Sequence, residues 1–229
     1  MSSGTMSSGT MTGAAMSDEE SRARAGLVRW GKSLFDRSLT PGSSGNLSVR
    51  LADGYLFTPT NSCLGFLDAE RLSKLDEAGR HVGGDPPTKE LPLHFAFYES
   101  RPTARAVVHL HSTFATALSC LADADPDDAI PPITPYVVMR VGKVPVVAYT
   151  RPGSPEVAPL IRAKAPRHPA ILLGNHGPVV AGASLDAAVF AMEELEETAR
   201  LVMMTRGMAI RPLGAAEIAD LEATFKLKG

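Results

Sequence analysis

Cysteine is nearly missing from this chain, which has two, Cys63 and Cys120, in 229 residues. Two cysteines cannot build the disulfide framework of a small secreted fold, so the sequence predicts a reducing, cytoplasmic setting. Aromatics are sparse, at 6% with one tryptophan. No apolar run approaches the roughly 18 residues that a membrane span needs, because proline, glycine or charge interrupts each one. Charge of one sign is missing too. Twenty-three lysines and arginines against 25 acids leave a net charge of -2. A long-range basic field that would draw in nucleic acid or an anionic membrane is thereby excluded. "GSSGN" (42–46) has neither GxGxxG nor GxxxxGK spacing, which argues against a nucleotide site. What remains, 44% hydrophobic and 21% charged, is the composition of an ordinary globular chain long enough for a large core.

"MSSGTMSSGTMTGAAM" (1–16) nearly repeats itself and lacks the charged and apolar regions of a secretory signal. The expectation is a flexible tail over 1–16 and one α/β domain over 17–229. Ser17 before Asp18, Glu19 and Glu20 predicts a helix running to about Asp36. "LTPGSSGNLSVRL" (39–51) breaks it and enters a strand, and Asp53-Gly54 turns that strand into a second, "YLFTPT" (55–60). "KELPLHFAFYES" (89–100) has helical spacing, with Leu91, Phe95 and Tyr98 in one stripe. "RAVVHL" (105–110) reads as a strand and "STFATALSCLA" (112–122) as a short helix. "VPVVAY" (144–149) is a further strand and "SPEVAPLIRAKA" (154–165) a helix. "AILLGN" (170–175) and "PVVAG" (178–182) pair around the turn Asn175-His176-Gly177-Pro178. A long helix over 184–205 carries an apolar stripe of Leu185, Val189, Met192, Leu195 and Ala199, and a last helix covers 214–225. The hairpins argue against an all-parallel sheet.

Two of the six histidines sit in "AVVHLHST" (106–113). On a strand, His109 and His111 project to one face and can chelate one metal, or they are two satisfied polar side chains at a strand end. His176 stands in "LLGNHGPVV", a turn fixed by glycine and proline. Three imidazoles, each at the end of an apolar strand, suggest a zinc-type site. Glu90 and His94 lie four residues apart after the rigid "DPPTK" (85–89). They are either a surface pair or the source of a fourth ligand or general acid/base, and spacing alone does not choose between them. "GSSGNLS", "TPTNS" and "PTK" collect glycine and small hydroxyl residues, with Thr58, Thr60, Thr88 and Lys89, in loops of the kind that cradle a phosphate.

"SGNLS", "TPT", Glu90 after "PTK", "HLHS" and "NHG" occur in an order and spacing that resembles the class II aldolase/adducin superfamily, over roughly Arg22 to Leu221. Longer blocks, among them "SCLG", "TALSCL", "TPYVVMR", "YTRPG" and "MEELEETA", resemble its 3-oxo-tetronate 4-phosphate decarboxylase branch. The resemblance implies a three-layer α/β fold, a mixed and largely antiparallel central sheet flanked by helices, assembled as a homotetramer with sites at subunit interfaces. It implies one divalent metal per chain, Zn2+ or another such as Mn2+ or Co2+, on His109, His111 and His176. Glu90 would sit on that metal at rest and leave it to act as acid/base. Tyr136 matches a catalytic tyrosine that reaches into the neighbouring subunit's site. Gly45, Asn46, Thr60, Asn61 and Thr88 match phosphate-binding positions. Lys89 stands where the aldolases carry serine, which suits a substrate with both phosphate and carboxylate. Asn61 departs from the family's usual glycine, although asparagine tolerates the left-handed backbone that glycine would adopt there.

The implied reaction takes 3-oxo-tetronate 4-phosphate to dihydroxyacetone phosphate and CO2. A metal chelating the C3 carbonyl and the C2 hydroxyl draws electrons from the breaking C1–C2 bond into a metal-stabilised enediolate. The alternative is an aldolase or epimerase acting on another sugar phosphate at the same metal. An adducin-like scaffold would lack the histidines. No nucleic acid or membrane partner is expected.

Overall fold

In the computed structural model, which describes residues 16–225, Ser17 caps the first helix as its position predicts. Its hydroxyl accepts the Glu20 N–H at 3.1 Å, and α1 runs over Asp18–Asp36. The tail expected over 1–16 lies outside the described residues, Met16 excepted.

The Asp53-Gly54 turn joins β1 (Asn46–Leu51) to β2 (Gly54–Phe57) as an antiparallel hairpin. Six more strands complete the sheet: β3 (Ser73–Leu75), β4 (His81–Gly83), β5 (Ala106–His109), β6 (Val146–Val147), β7 (Ala170–Leu173) and β8 (Gly177–Gly182). Their order is β4-β3-β2-β1-β5-β8-β7-β6, and every neighbouring pair is antiparallel except β6–β7. The sheet is thus mixed and largely antiparallel, as the family resemblance implies.

Six further helices flank it: α2 (Leu91–Ser100), α3 (Thr113–Ser119), α4 (Pro135–Arg140), α5 (Val157–Lys164), α6 (Leu185–Met204) and α7 (Ala215–Phe225). The central strands are buried on both faces. Val107, Ile171 and Val179 join the core under α2 and α5, with Phe97 and Ile161. Their neighbours Val108, Leu172 and Val180 join the opposite core, with Leu27 of α1, Leu118 of α3 and Leu195 of α6. Each such buried side chain contributes about 1.5–3 kcal/mol by leaving water. The result is three layers, with β1, β5 and β8 at the centre, where the polar residues of interest lie.

The structure departs from the sequence reading in several elements. β3, β4 and α4 were not expected. The two strands are three residues each, too short to show a period, and β4 lies at the sheet edge. α4 is a short helix of six residues, started by Pro135 after a Thr134 cap. The strand expected over 144–149 shrinks to two residues.

β5 also ends at His109 rather than continuing through His111. Ser112 is already the extended N-cap of α3, so the chain must leave the sheet at once. His111 lies in that link, and the shared-face argument for the two histidines does not hold as stated.

Candidate functional site

His109 is fully buried at the end of β5. Its Nδ1 stands 2.9 Å from the Pro178 carbonyl on β8. A carbonyl can only accept, so Nδ1 carries the proton and Nε2 presents a lone pair. The Nε2 atoms of His109, His111 and His176 are all buried, and none has a hydrogen-bond partner among the described residues. The three rings lie with centroids 4.8–5.1 Å apart.

The β7–β8 turn brings in His176. Asn175 adopts φ 54°, and Gly177 adopts φ 152°, where a Cβ would stand 2.5 Å from the Leu110 carbonyl. Only glycine allows this close approach. It sets His176 against the end of β5.

Glu90 is the N-cap residue of α2, yet its side chain caps nothing there. The carboxylate turns into the cluster instead. Oε2 lies 3.3 Å from His109 Nε2, and Oε1 lies 3.5 Å from His176 Nε2. One ligand atom from each of Glu90, His109, His111 and His176 falls within 4.8 Å of all the others. Three orphaned imidazole nitrogens gathered with one carboxylate are costly unless something fills the space between them. The donor set, three nitrogens and an oxygen, fits a divalent ion of the zinc type.

The electrostatics agree. Burial holds the His109 pKa down to about 4, against the pull of Glu90. Burial also lowers His111 and His176, so all three lone pairs are free at neutral pH. For Glu90 burial opposes the charge, but His109, the Asn46 amide and His176 outweigh it and hold the carboxyl below its ordinary value.

Glu90 and His94 are not a surface pair. His94 is fully buried and meets Glu90 through Asn46. Asn46 Nδ2 donates to Glu90 Oε2 at 2.8 Å, and Asn46 Oδ1 lies 2.5 Å from His94 Nε2. Of the two candidates that spacing left open, Glu90 joins the cluster and His94 stands behind it.

Beside Glu90 and His176 opens a small cleft walled by Leu93, Leu173 and the loop Thr150–Gly153. Arg151 of that loop is exposed, and no ion pair to it or to Lys89 forms among the described residues.

The sequence profile of the Class II Aldolase and Adducin N-terminal domain matches residues 25–203. The chain belongs to the class II aldolase and adducin family. It is 54% identical to a 3-oxo-tetronate 4-phosphate decarboxylase of Pectobacterium atrosepticum, over 92% of this chain and 96% of that one. The crystal structure of YgbL from Klebsiella pneumoniae superposes with a TM-score of 0.86 at 50% identity, covering 90% of this chain and all of that one. An L-fuculose 1-phosphate aldolase follows at TM-score 0.82 and 28% identity, covering 94% of this chain and 100% of its own. The aldolases are the more distant relatives.

Within this class II aldolase fold, the residues expected at a phosphate behave differently from one another. Asn61 adopts φ 56°, the left-handed backbone foreseen for it. Gly45 is also left-handed, and a Cβ there would meet the His109 carbonyl at 2.9 Å. The Thr60 N–H is taken by the Pro86 carbonyl at 2.9 Å and the Thr88 N–H by that of Thr58 at 3.3 Å. Thr88 Oγ1 accepts the Glu90 N–H at 3.2 Å, which ties this loop to the acid. Asn46 faces Glu90. Lys89 is exposed and abuts Gly153, next to Arg151. Tyr136 lies exposed on α4.

Two residues escaped the sequence reading. Arg151 lay in a recognised block, "YTRPG", with no role attached. Glu196 is buried on α6, and its carboxylate accepts the N–H groups of Phe114 and Ala115, both at 2.8 Å. It caps α3 just after His111, where Ser112 does not. The available signal was an acid interrupting the apolar stripe between Met192 and Ala199.

Proposed function

We propose that this chain is a metal-dependent carboxy-lyase that converts 3-oxo-tetronate 4-phosphate to dihydroxyacetone phosphate and CO2. The observation that carries this reading is the convergence of three buried imidazole nitrogens and the Glu90 carboxylate beside a cleft that Arg151 helps to line. The relative named for that reaction, at 54% identity, supports the substrate.

His109, His111 and His176 would hold the metal, which we take to be Zn2+ in preference to Mn2+ or Co2+ from the nitrogen-rich donor set. A divalent ion there supplies a Lewis acid that draws electron density out of a bound carbonyl. Arg151 and Lys89 orient the substrate through its two anionic groups, and the absence of an ion pair to either among the described residues supports that role. Gly45, Asn61, Thr60 and Thr88 line the phosphate end. As the C1–C2 bond breaks, CO2 departs and an electron pair remains at C2. Glu90, once it has taken up a proton from solvent, delivers that proton to the carbon and returns to the carboxylate. Leu93 and Leu173 wall the cleft and limit water at the reacting carbons.

The working form is a homotetramer in which Tyr136 enters a neighbouring site. Its exposure, with that of Met204, Met208 and Ile210 on the same chain, supports an assembly that covers them. Cys63 and Cys120 are free, which supports a reducing cytoplasm. Among the described residues no helix is long and apolar enough to cross a membrane. An aldolase reading, favoured by the likeness to L-fuculose 1-phosphate aldolase, would use the same cluster. Incubation with 3-oxo-tetronate 4-phosphate and, separately, with ketose 1-phosphates decides between them. Release of CO2 supports the decarboxylase, and aldehyde release without CO2 supports the aldolase.

A further inference from the structure

We propose that Tyr98, Ser48, His94 and Asn46 form a one-way chain of hydrogen bonds that holds Glu90 by its Oε2, and that His94 is thereby a positioning residue of the reaction. The proposal rests on the reading of Glu90 as the proton donor. The links are short: Tyr98 Oη to Ser48 Oγ 2.7 Å, Ser48 Oγ to His94 Nδ1 2.7 Å, His94 Nε2 to Asn46 Oδ1 2.5 Å, and Asn46 Nδ2 to Glu90 Oε2 2.8 Å.

Each direction follows from the one before it. A carboxylate accepts, so Asn46 must turn its NH2 to Glu90 and its oxygen to His94. That oxygen accepts, so His94 carries its proton on Nε2. Nδ1 then accepts, so Ser48 spends its single proton on it. Ser48 Oγ is left to accept from the Tyr98 hydroxyl. Every donor points towards Glu90. His94 is thus held in the Nε2–H form, opposite to the Nδ1–H form of His109.

Simple periodicity builds the chain. Asn46 and Ser48 lie two apart on β1 and share a face. His94 and Tyr98 lie four apart on one stripe of α2, and Glu90, its N-cap, stands four residues before His94. His94 is fully buried, Ser48 is fully buried and Tyr98 nearly so. A core seeking only stability would fill this space with apolar side chains, since a buried polar network gains little over them. What the network adds is orientation. Oε2 is committed, so Oε1 is the oxygen left to face the substrate.

Ser48→Ala, Ser48→Thr and Tyr98→Phe test this in the full chain, with metal content, kcat and KM measured on each. The 15N chemical shifts of 15N-histidine-labelled protein are recorded with and without metal, and His94→Gln identifies the His94 signals. In the wild type His94 shows the Nε2–H tautomer in both states. Ser48→Ala keeps its metal and its KM within about threefold, and loses kcat by about 10–100-fold, the usual effect of a partner behind a ligand. Ser48→Thr recovers most of that loss, and Tyr98→Phe, one link further out, loses less than Ser48→Ala. An Nδ1–H tautomer at wild-type His94 overturns the proposal, as does an unchanged kcat in Ser48→Ala. A wild type that releases no CO2 from 3-oxo-tetronate 4-phosphate refutes the activity instead, while the tautomer still decides the chain.

Discussion

His109 gives its Nδ1 proton to the Pro178 carbonyl across 2.9 Å, and this bond fixes which nitrogen the ring offers to the cluster. The acceptor belongs to β8, whose residue Val179 pairs with His109 in the sheet. The ligand face of the imidazole is therefore set by strand pairing and exists before any metal arrives.

The same burial predicts a pH dependence for the metal-free protein. His94 and His109 have pKa values of about 3 and about 4 in the fold, against 6.5 for the free side chain. From about pH 6.5 downward the unfolded chain takes up protons that the folded chain refuses until about pH 4 at His109 and about pH 3 at His94. Stability is complete above that window and falls as the pH drops through it, by about 2–4 kcal/mol from pH 7 to pH 5. Urea midpoints of the chelator-treated protein at the two pH values measure this. A flat profile contradicts it.

Glu90→Gln keeps its metal and its substrate affinity and loses turnover by about 10²–10⁴-fold, the usual worth of a positioned acid/base. Run in D2O, the wild type places deuterium stereospecifically at the former C2 of the product. Unchanged rate and labelling in the variant would assign the proton to another group.

Arg151→Met keeps the metal and raises KM for 3-oxo-tetronate 4-phosphate by about 10–100-fold, the loss of one charge-assisted contact of about 1.5–3 kcal/mol. Steady-state kinetics beside elemental analysis check this. An unaltered KM would remove Arg151 from substrate recognition.

Glu196→Ala leaves the N–H groups of Phe114 and Ala115 without their acceptor and destabilises the fold by about 2–4 kcal/mol. Denaturant unfolding at constant slope is the measurement. A midpoint equal to the wild type's would deny the cap.

Much of the layout was legible in the sequence. Ser17, Asp53-Gly54 and the α6 stripe each carry a local signal that the structure bears out, because capping, tight turns and amphipathic helices are decided by neighbouring residues. The histidines and Glu90 were legible as candidates, and the structure brings them together. Other features depend on contacts between distant residues. β5 stops at His109 because α3 begins so soon after it. Asn46 meets Glu90 only because β1 lies under the start of α2. Glu196 reaches Phe114 from another helix. No period or spacing along the chain encodes such meetings. Family likeness pointed Asn46 at a phosphate, while the structure shows its amide bound to Glu90 and His94.

Elemental analysis of purified wild type and His109→Ala, beside an assay for CO2 and dihydroxyacetone phosphate from 3-oxo-tetronate 4-phosphate, tests the central claim most directly. The wild type is expected to carry one divalent ion per chain, and the variant to lose metal and activity together. Full metal occupancy in His109→Ala, or turnover by a wild type stripped of metal, would contradict it.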